Sequence, residues 1–219
     1  MSAGALRLFL GLPVPPRQAR ALEVWTREHA DPAWRPVPAA NLHVTLVFVG
    51  AAPADAVPAL GAALRDAMES VPAVDVQPVA ARRFGSVLAL PLLDATGAVP
   101  APLADAQARL ARTVERVEER AWTPHATVGR GSRRARPPLP DASPPALVIR
   151  LDEAVLYVSE RGGRGVTYRP LAVVPLKTDD LRTDANGSGE SAAPRHPHGR
   201  DRGRGGASDH GGRPQEGDA

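Results

Sequence analysis

Two short stretches of this sequence repeat one pattern. LHVTLVFVG surrounds His43 and PHATVGR surrounds His125, and each is His-x-Thr followed by an aliphatic residue. In a strand, successive side chains face opposite sides, so the His and Thr of each copy share one face about 7 Å apart. Val44 and Ala126, with Leu46 and Val128, then point the other way into apolar packing. An internal repeat of this kind calls for two similar halves, each contributing one such strand. Brought together, the strands present two imidazoles and two hydroxyls to one cleft.

A single His-x-Thr on a strand is common and carries no message. Here two copies stand 82 residues apart, with matching flanks, in a stretch of 178 residues that holds only three histidines. Two imidazoles with ordinary pKa values of about 6.5 can share one proton at neutral pH, which supplies a general base and a general acid together. Hydroxyls donate hydrogen bonds to the non-bridging oxygens of a phosphate. The set suits in-line phosphodiester chemistry, in which one imidazole takes a proton from the attacking water and the other protonates the departing oxygen. A catalytic zinc site is the rival use of paired histidines, but it takes three protein ligands. Neither motif contains an Asp, a Glu or a further His, so no metal is expected.

Composition narrows the field further. The 219 residues include no cysteine, which excludes disulfide frameworks, thiolate metal sites and cysteine nucleophiles together. With 43% hydrophobic residues the chain can build a core. Its longest apolar run, 42–52, falls far short of the roughly 20 residues a membrane helix needs, and no secretory leader is legible at the N-terminus. A soluble, cytoplasmic monomer without membrane contact is expected. Formal charge is +3, divided unevenly: residues 178–219 carry six Arg against eight Asp and Glu, which leaves the preceding residues at +5. A moderately basic body suits an anionic ligand without demanding a long polyanion. From residue 179 onward the sequence is rich in Gly, Arg and His and nearly free of large apolar side chains, so 179–219 is expected to be a disordered tail and 1–178 the folded domain. His196, His198 and His210 are read as part of a solvated extension, and His29 as an exposed helix-end residue.

Within the body, apolar runs predict strands at 6–12, 42–49, 74–79, 84–92, 123–128, 147–158 and 166–175. Pro16 opens a helix that includes Leu22 and Trp25. Val57, Leu60, Leu64 and Met68 form the stripe of a second helix, begun at Asp55, and Leu103, Ala106, Leu110, Val114 and Val117 the stripe of a third. Some strands succeed each other without a helix between them, which predicts an α+β domain with mixed or antiparallel sheets rather than a doubly wound parallel one.

At its two motifs the sequence resembles the two-histidine (2H) phosphoesterases, and within them the RNA 2′,3′-cyclic phosphodiesterases, also called 2′-5′ RNA ligases. LRLFLGLPVP is similar to the opening strand of that family, RPVPAANLHVTLVFVG to its first motif block, WTPHATVGR to its second and LYVSERGGRGVTYRPL to its closing strand pair. The resemblance implies a bilobal fold of two pseudo-symmetric lobes, with mainly antiparallel sheets flanked by helices and the active-site cleft between them. It implies hydrolysis of a 2′,3′-cyclic phosphate to a 2′-phosphate without metal or other cofactor. By the same resemblance His43 is the general acid toward the 3′-oxygen and His125 the base that activates water. Thr45 and Thr127 hold the phosphate oxygens, and Arg130 adds positive charge to the phosphate or braces the site. One strand departs from the family: FGSVLALPL carries Ala89 and Pro91 where an aromatic-containing VLWxG is frequent, which leaves Phe84 as the nearest aromatic for a nucleobase. Trp25, Trp34 and Trp122 are read as packing residues.

The expected substrate is RNA with a 2′,3′-cyclic phosphate end, or a cyclic nucleotide, with the reverse 2′-5′ ligation as a further activity. The alternatives are a cyclic phosphodiesterase for a small nucleotide or ADP-ribose derivative, and an RNA-end binding module.

Overall fold

Prolines set the first boundary of the fold. β1 (Leu6–Pro13) stops where Pro13 removes a ladder donor, and α1 (Pro16–His29) starts on Pro16, whose missing N–H falls among the helix donors that have no partner anyway. Next in the chain come β2 (Arg35–Pro36), β3 (His43–Ala52), α2 (Val57–Met68), β4 (Val74–Pro78), β5 (Arg82–Phe84), β6 (Val87–Leu93), α3 (Ala101–Thr113), β7 (His125–Arg130), β8 (Ile149–Leu151), β9 (Glu153–Gly162) and β10 (Gly165–Pro175). The computed structural model describes residues 5–115, 121–132, 134, 136–163 and 165–178, which lie in one unit spanning Met1–Asp180.

Most expected elements are present, with four corrections. The run 84–92 is two strands, because Gly85 takes a φ of +60° and folds β5 back on β6. The run 147–158 divides at Asp152 into β8 and β9. Asp55 lies in a short 3-10 turn, Ala54–Ala56, and α2 begins only at Val57. β2, two residues long and half proline, has no run to announce it. Val117 and the tail at 179–219 lie outside the described residues.

The strands form the order β10-β9-β1-β3-β7-β6-β4-β8, with β2 added on β7 and β5 on β6. Every ladder between them is antiparallel, and α1, α2 and α3 flank the sheet, so the architecture is α+β. The halves β10-β9-β1-β3 and β7-β6-β4-β8 meet at one register pair, Val44 opposite Ala126. These are the middle residues of the two His-x-Thr motifs. The row extends to Leu12 on one side and Leu90 on the other, and all four side chains are fully buried. Burying a leucine contributes about 1.5 to 3 kcal/mol, so the seam is anchored by the same alternation that turns the histidines to the opposite face. The helices cross between the halves. α1, which connects β1 to β3, packs on β7, and α3, which connects β6 to β7, packs on β3.

Candidate active site

Each histidine is fixed in the same way. His43 Nδ1 lies 2.8 Å from the Asn41 carbonyl, and His125 Nδ1 lies 2.8 Å from the Thr123 carbonyl. A carbonyl only accepts, so Nδ1 carries the proton and the neutral ring is left with a free lone pair on Nε2. The neighbouring strands repeat the match. Pro13 stands opposite His43 and Pro91 opposite His125. The next residue in each case donates to the carbonyl before the histidine, Val14 to Leu42 at 3.0 Å and Leu92 to Pro124 at 2.9 Å. The turn that supplies the Asn41 carbonyl is held from two sides. The buried Glu23 carboxylate accepts from Ala39 N–H at 3.2 Å while paired with Arg27 and Arg20, and Asn41 Nδ2 donates to the Val166 carbonyl at 2.8 Å. The Arg27 hydrogen bond, with those from Ala39 and Arg20, holds Glu23 below the usual carboxylate range.

Carried one residue either way from the Val44 and Ala126 pair, the antiparallel register sets His43 beside Thr127 and Thr45 beside His125. All four side chains are half-buried on one face. Thr45 stands opposite Gly11, and Thr127 opposite Ala89. Gly11 is there for space: a Cβ would meet the Val44 carbonyl oxygen at 2.8 Å and the His43 ring at 3.4 Å. Trp122 Nε1 donates to the Thr45 carbonyl at 3.0 Å and ties the approach to β7 onto β3.

Beyond each threonine the strands carry matching bulges. Leu46 in β3 and Val128 in β7 have no partner in the register, and the next residue in each strand is buried too. A bulge adds a residue and re-aims the side chains beyond it. Phe48 and Arg130 therefore return to the face of the histidines at equivalent positions, and both are exposed, Phe48 at 64%.

The two histidines differ in surroundings. Phe9 and Tyr168 approach the His43 ring at 4.8 and 5.1 Å between centroids, with Tyr157 at 6.3 Å. Burial among these rings, aided by the charges of Arg130 and His125 and opposed by the Asn41 hydrogen bond, pushes the His43 pKa down to about 4. Burial and the nearby Glu153 carboxylate push the Tyr157 phenol up to about 12, so it remains an O–H donor. Among the described residues, the aromatic neighbour of His125 is Phe84, edge-on at 4.9 Å.

The structure thus gathers His43, Thr45, His125, Thr127 and Arg130 on one face, with Phe84 touching His125. Phe48, Gly11 and the aromatic rings around His43 lie at the site without having been expected there, and Trp122 packs on the core as expected. For Gly11 one signal was legible: LGLP at 10–13 and LALP at 88–91 are a second repeat, and their strands flank the two motifs. Pro91 is the counterpart of Pro13 and not an irregularity.

This two-lobed antiparallel sheet with its paired histidines defines a phosphoesterase-type enzyme. Solved structures share the fold: a phosphoesterase at 24% identity and TM-score 0.68, covering 78% of this chain and 98% of its own. E. coli LigT in apo form stands at 26% and 0.63, covering 79% and 98%. A protein of Thermus thermophilus, TT0787, stands at 20% and 0.62, covering 79% and 99%. LigT has also been solved with ATP, NADP+, phosphate and 3′-AMP. No curated protein sequence matches the chain. The model of the 2′-5′ RNA ligase superfamily matches residues 13–163, and the chain belongs to that family of two-histidine phosphoesterases.

Proposed function

We propose that the protein hydrolyses 2′,3′-cyclic phosphate ends of RNA to 2′-phosphates. The observation that carries this reading is the duplicated imidazole, each with Nδ1 tied to the carbonyl two residues before it and Nε2 free, beside two threonines. In the reaction His125 Nε2 accepts a proton from water as the water oxygen bonds to phosphorus. The bond from phosphorus to the 3′-oxygen breaks, and His43 Nε2 gives that oxygen its proton. Thr45, Thr127 and Arg130 hold the non-bridging oxygens, whose charge grows in the transition state. In the free protein His43 is neutral at pH 7. The cyclic phosphate is itself an anion, and its arrival beside the ring favours the protonated form that an acid requires. With a 5′-hydroxyl in place of water as the nucleophile, the same steps, run in the same direction, join RNA through a 2′-5′ linkage.

A small nucleotide bearing a cyclic phosphate is the second reading, favoured by the 3′-AMP found with LigT. The test is turnover of 2′,3′-cyclic nucleotides and cyclic-ended oligonucleotides in EDTA. A 2′-phosphate product from the oligonucleotides supports the first reading, turnover of mononucleotides alone the second, and activity that needs a metal contradicts both.

A further inference from the structure

The internal symmetry makes the two halves comparable position by position, and they differ in charge. Gly11 and Phe9 of β1 stand opposite Val155 and Tyr157 of β9. Their counterparts Ala89 and Val87 of β6 stand opposite Arg82 and Phe84 of β5. After the bulges, Phe48 corresponds to Arg130. The first half is therefore apolar and aromatic where the second carries Arg82 and Arg130. Arg35 adds a third cation, directly opposite Arg130.

Paired residues in adjacent strands share a face. Thr127, Ala89 and Arg82 form one row, and Arg35, Arg130, Val87 and Phe84 another, both on the face of the histidines. All three arginines are exposed. Among the described residues, no ion pair or side-chain hydrogen bond engages any of them. Like charges directly opposite each other destabilise a sheet, so Arg35 beside Arg130 serves something other than packing. A separate anion held by Arg35, beside the reacting phosphate at Arg130, offsets that repulsion.

We propose that Arg82 and Arg35 form a second phosphate subsite, which takes the phosphate next to the reacting one in the substrate. This rests on the reading that the cyclic phosphate reacts between His43 and His125. A second phosphate has two sources: the neighbouring phosphodiester of an RNA strand, or the 5′-phosphate of a mononucleotide. In either case the second phosphate lies over the second half.

The test compares kcat/KM of the full chain and of Arg82→Gln, Arg35→Gln and the double variant. The substrates are adenosine 2′,3′-cyclic phosphate, its 5′-phosphorylated form, and a dinucleotide with a cyclic end. On the first substrate every variant should stay within about twofold of wild type. On at least one of the others the double variant should lose about five- to thirtyfold, as expected for charge-assisted contacts at an exposed site. Its dependence on salt should flatten as well, since fewer counterions are displaced. Loss on the dinucleotide alone identifies the phosphodiester, and loss on the 5′-phosphorylated nucleotide identifies the 5′-phosphate. Equal losses on all three substrates, or no loss on either two-phosphate substrate, overturn the subsite. Should the wild type turn over none of them, the cyclic-phosphate reading fails by itself. Calorimetric affinity for a dinucleotide 2′-phosphate against adenosine 2′-phosphate then decides the subsite: the double variant must weaken the former and spare the latter.

Discussion

His43 and His125 share a backbone geometry and differ in what surrounds the ring. The aromatic residues beside His43 hold its pKa near 4 in the folded protein, while an unfolded chain returns it to its ordinary value near 6.5. Between those values the unfolded state binds the extra proton, so stability is full above pH 6.5 and falls as pH drops toward 4. Between pH 7 and pH 5 the loss from this residue should be roughly 2 kcal/mol. Urea unfolding at the two pH values, compared with His43→Gln, isolates it. The variant should lose less stability on acidification, and identical losses would contradict the burial argument. The motif histidines themselves were legible from the repeat, but this difference was not. Phe9, Tyr157 and Tyr168 belong to three strands, two of them more than 100 residues away in sequence, and only the sheet brings them to His43.

At the scale of elements, the site depends on how closely β1 approaches β3. Adding a Cβ at Gly11 sets it 2.8 Å from the Val44 carbonyl, a contact that forces the strands apart beside His43. Gly11→Ala should cost about 1 to 3 kcal/mol, in the range of overpacked cores, and should lower turnover more than a core change of equal cost placed away from His43. Ala89→Gly, at the equivalent position of β6, should cost only about 0.5 to 1 kcal/mol for backbone freedom and keep activity. Thermal melts with parallel assays check both, and full activity in Gly11→Ala would show that β1 yields without moving His43. Strand positions could be read from alternation and apolar runs, because both are local. The bulges at Leu46 and Val128 could not, since a missing partner is a property of two strands. For that reason Arg130 entered the site only through a family resemblance, and Phe48 did not enter at all. The hairpin at Gly85 was hidden by the apolar run that continues past it.

For the whole molecule, the sheet is closed by the residues just after β10. Leu176 N–H donates to Asp152, Lys177 N–H to Val71, and Ala73 N–H to Lys177, at 2.7, 2.8 and 2.7 Å. A chain ending at Thr178 retains all three. It should melt within a few degrees of the full-length protein and match its turnover of a cyclic-ended dinucleotide. A large loss of either would place residues after 178 in the working domain. Among the described residues, no helix is long and apolar enough to cross a membrane.

The proposed reaction requires that two symmetric imidazoles act as one acid and base pair. It is tested most directly by the turnover of a 2′,3′-cyclic-ended oligonucleotide by His43→Ala, His125→Ala and the double variant in EDTA. Each single change should lower the rate by about 10²- to 10⁴-fold, the usual contribution of one general acid or base. The double variant should be little slower than either, because the two groups act in the same step. Near-wild-type turnover by either single variant would show that the two imidazoles do not act as a pair.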